Sequence, residues 1–132
     1  MSDPAVALEL ADLLFSSIMR GDIDTLRDRV YSASLVVWHN NDGVEQNIEQ
    51  NLRTLTWVVA NVSNVRYEDV RRQPTPTGFV QQHVLRGTTP NGEQLEVPAC
   101  LVVRIDGGRI ERIDEYLDSA SVRPLLSPRP EG

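Results

Sequence analysis

Gln81 and His83 lie two positions apart in segment 78–87 (GFVQQHVLRG), which otherwise reads as a buried strand. Residues i and i+2 of a strand face the same side of a sheet. Asp114 stands in a similar segment, 109–117 (RIERIDEYL). An amide, an imidazole and a carboxylate in one apolar pocket can move protons on a substrate. We therefore interpret Asp114, His83 and Gln81 as candidate catalytic residues, with Asp114 as general base and His83 polarising or protonating a substrate oxygen.

Each of these residues also has a purely structural interpretation. His83 can be a core histidine bonded to a backbone carbonyl, and Asp114 can be a solvated carboxylate at a strand edge. A further acidic residue, Asp42, is expected to cap a helix rather than to act as a catalytic acid, because Glu45 follows it three residues later.

Composition limits the other functions. The 132 residues carry 13 Lys and Arg against 19 Asp and Glu, a net charge of −6 that would repel a nucleic acid. No apolar run approaches the roughly 20 residues that cross a bilayer, and no leader is recognised, so a cytoplasmic protein without membrane contact is expected. One cysteine, two histidines and no glycine-rich phosphate loop imply no metal and no cofactor.

Apolar residues at helical spacing predict three helices, and β-branched and aromatic runs bounded by turn residues predict the strands. The helices are expected at 4–19, 23–30 and 44–62, the last with Asp42 as its N-cap. The strands are expected at 34–40, 64–73, 79–88, 93–105 and 109–117. Helices followed by a run of antiparallel strands favour an α+β domain in which the helices cover one face of a curved sheet.

This order of elements resembles the nuclear transport factor two-like superfamily over nearly the whole chain. The resemblance implies a cone-shaped, curved antiparallel sheet wrapped by N-terminal helices around one deep pocket. One domain is expected over residues 1–122, and the Pro-rich residues 123–132 are expected to be a disordered tail. The superfamily includes SnoaL-like polyketide cyclases, ketosteroid isomerases and limonene epoxide hydrolases, and the Gln81-x-His83 pair is similar to the cyclases.

Two other segments resemble the limonene epoxide hydrolases. In VVWHNND, Trp38 and Asn40 occupy the places of the pair that holds the attacking water, and in RIERIDEYLD, Asp114 occupies the place of the carboxylate that activates it. Those enzymes carry an Arg-x-Asp pair on a middle strand, where this chain has Gln81 and His83. The departure argues against epoxide opening.

Hairpin geometry predicts which side chains meet. If residues 91–92, Asn-Gly, form a two-residue loop, His83 pairs with Cys100. The Asp-Gly-Gly sequence at 106–108 permits two registers: a three-residue loop sets Asp114 opposite Cys100, and a two-residue loop sets it opposite Leu101. We adopt the three-residue loop, which gathers the polar residues on the concave face.

The remaining expectations follow from that register. The pocket is lined by the binding residues Trp38, Asn40, Phe79, Cys100 and Tyr116. His39 points the other way, to the surface or an interface, and Trp57 closes the pocket mouth or meets a partner. The convex face carries an apolar row that a second copy of the chain would cover, giving a homodimer: Val80, Val84, Val97, Ala99, Leu101 and Val103.

The sequence thus predicts a small-molecule enzyme that uses general acid and base chemistry. It would act as an isomerase or aldol-type cyclase on a hydrophobic polyketide-, steroid- or terpenoid-like substrate. The alternatives are a non-catalytic binding domain of the same fold and an epoxide hydrolase.

Overall fold

Four helices and six strands make up the computed structural model, which describes residues 3–126. The helices are α1 (Pro4–Arg20), α2 (Ile23–Thr25), α3 (Ile48–Asn61) and α4 (Arg123–Leu126). A π-helical turn, Leu26–Val30, follows α2, and a 3₁₀ turn, Ser119–Val122, precedes α4. The strands are β1 (Tyr31–His39), β2 (Glu45–Gln46), β3 (Ser63–Thr75), β4 (Gly78–Thr88), β5 (Gln94–Asp106) and β6 (Arg109–Leu117).

All six strands form one sheet in the order β2-β1-β6-β5-β4-β3. β1 and β6 are parallel, and the other neighbouring pairs are antiparallel. The sheet is not closed, and the predicted α+β architecture is confirmed. Within the described residues, no helix has both the length and the apolar character needed to span a bilayer.

Helix α1 covers the inner face of the sheet. The Asp3 carboxylate accepts a hydrogen bond from the backbone N–H of Ala5, and Gly21 ends the helix with a φ of 71°. Its buried stripe packs on β3 and β4 and consists of Ala7, Leu10, Ala11, Leu14, Phe15 and Ile18. The predicted helix at 4–19 is therefore confirmed.

Helix α3 begins four residues later than predicted. Asn47 and Gln50 form a reciprocal capping box, with both side-chain-to-backbone distances at 2.9 Å. Residues 45–46 instead pair with β1 as the edge strand β2. The Asp42 carboxylate accepts from the backbone N–H of Val44 in a turn, so its predicted role as the N-cap is wrong.

Five residues, 89–93, connect β4 and β5, and the backbone pair of Thr89 with Glu93 encloses a loop of three residues, 90–92. The backbone N–H of Thr89 donates to the carbonyl of Glu93, and that of Gly92 donates to the carbonyl of Thr89, both at 2.9 Å. Pro90 suits the second position of such a turn because its φ is fixed near −65°, and Gly92 has a φ of 79°. The predicted two-residue loop at 91–92 is therefore wrong.

This loop shifts the pairing of β4 and β5 by one residue. His83 lies opposite Ala99, and Gln81 lies opposite Leu101. Cys100 lies opposite Gln82 instead of His83. A shift of one residue exchanges the two faces of a strand, so Cys100 points away from the side that holds His83.

The loop between β5 and β6 contains two residues, Gly107 and Gly108, with φ values of 58° and 76°. Two consecutive residues with positive φ match a tight hairpin turn. A bulge next to Ile105 then shifts the pairing, and Asp114 lies opposite Val102. The predicted three-residue loop is wrong, and Asp114 shares the outer face of the sheet with Cys100.

The inner face of β5 is the apolar one. Val97, Ala99, Leu101 and Val103 are at most 9% exposed and belong to the core. They were expected on the convex face, and that assignment is wrong because it depended on the two-residue loop. The outer face still carries apolar side chains, with Val70, Val102 and Tyr116 exposed at 45%, 44% and 50%.

Residues 123–126, expected to be disordered, form α4, and Leu125 packs against the cluster of Val62, Leu95 and Val97. The first part of the predicted tail thus covers apolar residues of the domain. The rest of the tail, 127–132, lies outside the described residues.

Gly78→Ala should destabilise the protein by about 1–3 kcal/mol, the usual cost of overpacking. A Cβ at position 78 would lie 2.0 Å from the carbonyl oxygen of Val103, so β4 and β5 would have to separate. Urea unfolding measures the change. The control is Gly43→Asn, since a Cβ there meets nothing within 4 Å and Asn tolerates a φ of 67°. Equal losses in the two variants would contradict this close approach.

Candidate functional site

A cavity of about 350 Å³ lies between the inner face of the sheet and helices α1 and α3. Most of its wall is apolar, including Leu14, Phe15, Ile18, Leu55, Val58, Leu101 and Ile113. Val122 and Leu125 contribute from the C-terminal turn and helix. Trp57 also lines the cavity and is 40% exposed. Such a cavity suits a small hydrophobic ligand.

His39 and Glu115 form an ion pair in the cavity wall. The parallel pairing of β1 and β6 sets the two residues side by side, with His39 Nε2 2.9 Å from Glu115 Oε1. Their side chains are 22% and 21% exposed. Burial disfavours a charged imidazole, but the hydrogen bond to Glu115, its charge and the charge of Asp42 outweigh burial and raise the pKa of His39.

Four side chains form a hydrogen-bonded series from α1 to the cavity. Asp12 Oδ1 accepts from Arg72 Nη1 at 2.6 Å, and Gln81 Oε1 accepts from Arg72 Nε at 2.7 Å. Gln81 Nε2 lies 2.9 Å from His83 Nδ1. Gln81 is fully buried and His83 is 4% exposed, so neither can exchange these partners for bulk water.

Aromatic rings hold the imidazole of His83 in place. The rings of Phe15 and Tyr67 approach it edge-on, with centroids 5.4 and 4.8 Å away. Burial lowers the pKa of His83; the negative charge of Glu115 opposes this change and the positive charge of Arg72 adds to it. His83 is therefore neutral at neutral pH.

Two tyrosine hydroxyls add to the polar part of the site. Burial raises the pKa of Tyr31 and of Tyr67 far above the usual value, and the charge of Glu115 raises both further. Both hydroxyls thus stay protonated and can donate hydrogen bonds. The Glu115 charge acts on both tyrosines and both histidines, so this carboxylate is the electrostatic centre of the cavity.

One buried amide in the cavity wall lacks a protein partner for its oxygen. Asn51 is 5% exposed, and its Oδ1 accepts no hydrogen bond from the described residues. Its Nδ2 lies 3.5 Å from Gln46 Oε1. No group of three or more His, Cys, Asp or Glu side chains within residues 3–126 is arranged to hold a metal ion.

Three of the residues singled out in the sequence lie on the inner face. His83 is part of the cavity wall, and Gln81 supports it. Phe79 is fully buried in the core. Asn40 lies outside the cavity wall at the end of β1, where its Oδ1 accepts from the backbone N–H of Leu117 at 2.8 Å. It aligns β1 with β6.

Asp114 lies on the outer face, so its assignment as the general base is wrong. Its Oδ1 accepts from Arg112 Nε at 3.0 Å, and Arg112 also contacts Glu45. Trp38 and Tyr116 lie on the same face, with ring centroids 5.3 Å apart, and Cys100 is beside them. These three do not form the pocket wall, because the shifted register turned the even-numbered residues outward.

The likeness to limonene epoxide hydrolases therefore does not extend to the site. Trp38 and Asp114 are on the outer face and Asn40 is outside the cavity wall, so none of the three can hold or activate a water inside it. Sequence reasoning also missed the residues that do line the cavity, Glu115, His39, Tyr31 and Tyr67. His39 was expected at the surface or an interface, which is wrong. Pro90 is a sequence signal for the register of β4 against β5, and that register bears on the face of β5.

Solved structures share this architecture. A nuclear transport factor two-like protein from Burkholderia xenovorans is 13% identical, with 92% of this chain and 95% of that chain covered and a TM-score of 0.76. A candidate isomerase from Bacillus subtilis is 9% identical, with 99% and 100% covered and a TM-score of 0.80. IdmH, a candidate polyketide cyclase from Streptomyces antibioticus, is 19% identical, with 92% and 99% covered and a TM-score of 0.76.

The chain therefore has the nuclear transport factor two-like fold that its sequence resembles. Within this fold it is similar to SnoaL-like and ketosteroid isomerase-like structures. No family model and no curated protein matches the sequence.

The His39–Glu115 pair should make stability depend on pH in a defined direction. The folded pKa of His39 lies above its ordinary value of 6.5, so the contribution is complete below about pH 6.5 and is lost as the pH rises through the folded pKa. His39→Gln should cost about 1.5–3 kcal/mol at pH 5.5, the usual value of a hydrogen bond between charged groups, and less at pH 8.5.

Urea unfolding of the wild type and His39→Gln from pH 5 to pH 9 measures this difference. Subtracting the unfolding free energies of the two proteins at each pH cancels the contribution of His83, whose lowered pKa changes stability in the opposite direction. A difference that grows with rising pH would contradict the charged pair.

Proposed function

We propose that this protein is an enzyme that transfers protons on a hydrophobic small molecule, as an isomerase or an aldol-type cyclase. The observation that carries the proposal is the Glu115 carboxylate in an apolar cavity, with His39, His83, Tyr31 and Tyr67 within its electrostatic reach. The likeness to candidate polyketide cyclases and a candidate isomerase supports the same class of reaction.

Glu115 takes the place of the general base. Its carboxylate removes a proton from a carbon next to a substrate carbonyl, and the electron pair of the C–H bond moves toward the carbonyl oxygen. His39 holds one carboxylate oxygen, Oε1, and so fixes the orientation of the base. The apolar wall excludes water and strengthens the interaction between charges in the cavity.

The negative charge that develops on the substrate oxygen needs a hydrogen-bond donor. His83 supplies one from a neutral imidazole, and the Tyr31 and Tyr67 hydroxyls are further donors, since their raised pKa keeps them protonated. Gln81 steadies His83 through its amide.

Two outcomes of the enolate intermediate are chemically balanced. In an isomerase, protonated Glu115 returns its proton to a different carbon of the substrate. In an aldol-type cyclase, the enolate carbon attacks a second carbonyl of the same molecule, and the resulting alkoxide takes up the proton from Glu115. Both use the same base and the same donors.

Glu115→Gln should lower turnover by about 100- to 10,000-fold, the usual contribution of a general base, while ligand binding persists. Asp114→Asn is the matched control, because the adjacent carboxylate lies on the other face of β6, and its turnover should match the wild type. The assay incubates enones and polyketide esters in D₂O and measures product and deuterium uptake next to the carbonyl.

The outcomes separate the alternatives. If Asp114→Asn loses turnover while Glu115→Gln turns over the substrate at the wild-type rate, the assignment of Glu115 as the base is overturned. Ligand retention without deuterium uptake or product in the wild type would favour a non-catalytic binding domain of the same fold.

We also propose that the protein is a homodimer through the outer face of the sheet. The support is the exposed apolar surface of Val70, Val102 and Tyr116, beside a shallow trough of about 810 Å³. Asp69 and Arg71 both border this trough, so a two-fold axis would allow opposite charges of two copies to pair.

Val102→Glu should convert the dimer into a 14.8 kDa monomer, because it places a charge in the apolar contact. Light scattering of dilute protein measures the mass. Val44→Glu is the control, since Val44 is 53% exposed but lies in the loop before β2, and it should remain a dimer. A monomeric wild type would contradict the proposal.

A further inference from the structure

The contacts of Arg72 decide how the amide of Gln81 is oriented. Arg72 Nε donates to Gln81 Oε1 at 2.7 Å, and Arg72 Nη1 donates to Asp12 Oδ1 at 2.6 Å. A guanidinium group carries only donors. The side-chain atom of Gln81 that faces Arg72 is therefore the oxygen, whichever way the amide is first assigned.

The amide orientation in turn decides the protonation of His83. With its oxygen toward Arg72, Gln81 directs its NH₂ group to His83 Nδ1, 2.9 Å away. An amide nitrogen can only donate, so Nδ1 has to be the acceptor. The neutral imidazole then carries its proton on Nε2.

The groups around His83 oppose a second proton. Protonation of Nδ1 would set two N–H donors against each other across the contact with Gln81. Arg72 from β3 adds a positive charge, whereas Glu115 from β6 favours the proton. Tyr67 from β3 and Phe15 from α1 are uncharged and hold the ring edge-on, so the ring cannot turn freely to exchange its nitrogens.

We propose that Arg72, anchored by Asp12, is a positioning residue that fixes His83 as the neutral tautomer protonated on Nε2. The use of His83 as a donor to a substrate oxygen rests on the proposed function, but the assignment of its tautomer does not. Arg72 is 19% exposed and Asp12 is 77% exposed, so the far end of this series lies at the surface of α1. A residue outside the cavity wall thus controls which imidazole nitrogen can donate inside it.

Nitrogen NMR tests the tautomer directly. The chain has two histidines, so a spectrum of His39→Gln identifies the His83 signals. Long-range ¹H–¹⁵N correlation of ¹⁵N-labelled wild type at pH 7.5 should show His83 Nε2 protonated and Nδ1 unprotonated, and this state should persist below pH 6.5. A protonated Nδ1 or a mixture of tautomers would overturn the proposal.

Arg72→Met tests the role of the guanidinium. Without that donor, the Gln81 oxygen can turn toward His83, and a mixture of the two tautomers is expected. Arg72→Lys should restore the single tautomer, because an ammonium group also only donates. Arg71→Met is the control, since this adjacent residue lies opposite Gln82 and its substitution should leave the His83 tautomer unchanged. A single Nε2–H tautomer in Arg72→Met would overturn the proposal.

Gln81→Glu gives a second test that needs no loss of Arg72. A carboxylate accepts hydrogen bonds from both neighbours, so the proton of His83 should move to Nδ1 and its pKa should rise. If Arg72→Met does not fold, Gln81→Glu still tests the proposal. An unchanged Nε2–H tautomer in Gln81→Glu would overturn it.

Kinetics then separate this inference from the proposed function. If His83 donates to the substrate, Arg72→Met should lower kcat in proportion to the fraction of the Nε2–H tautomer that it loses, about two-fold for an equal mixture, with KM changed much less. If the spectra respond as described but the wild type turns over none of the substrates, the inference is retained and the proposed function is rejected.

Discussion

The three-residue loop at 90–92 fixes the register of β4 against β5, and this register determines the contents of the cavity. Pro90 cannot donate to a ladder and favours the second position of a turn, while Gly92 accepts the left-handed conformation that closes it. A loop shorter by one residue would turn Cys100 inward and Ala99 outward. It would also bury Asp114 in place of Glu115. Together with the bulge next to Ile105, that parity decides which acid of β6 lines the cavity.

Burying Glu115 among apolar residues requires compensation, and the neighbouring strand provides it. A lone carboxylate in such a wall would be protonated or unstable, because desolvation disfavours its charge. β1 lies parallel to β6, so His39 arrives directly beside Glu115, and Asn40 fixes the end of β1 by accepting from the Leu117 N–H. The parallel strand pair thus places a hydrogen-bond partner beside the Glu115 carboxylate.

The sequence contains enough information for the elements and the fold, but not for the faces of the strands. The apolar stripe of α1 and the β-branched runs each have a period that identifies the element. β4 has no such alternation, since Gln81, Gln82 and His83 are consecutive. Asp114 and Glu115 are adjacent acids, and no local pattern distinguishes them. The turn chemistry of Pro90 indicates the face of β5, but the face of β6 also depends on the bulge next to Ile105, which no local pattern predicts.

The charge of Glu115 acts on two histidines whose pKa values shift in opposite directions. Glu115 raises the pKa of His39 enough to overcome burial, whereas burial and Arg72 lower that of His83. Groups whose environments push their pKa values apart take different parts in proton transfer. Where His39 is protonated, its charge offsets that of Glu115, and His83 and the two tyrosines are neutral donors. Neutral donors of this kind match a substrate oxygen rather than a cation, and such an oxygen is what the proposed reaction requires.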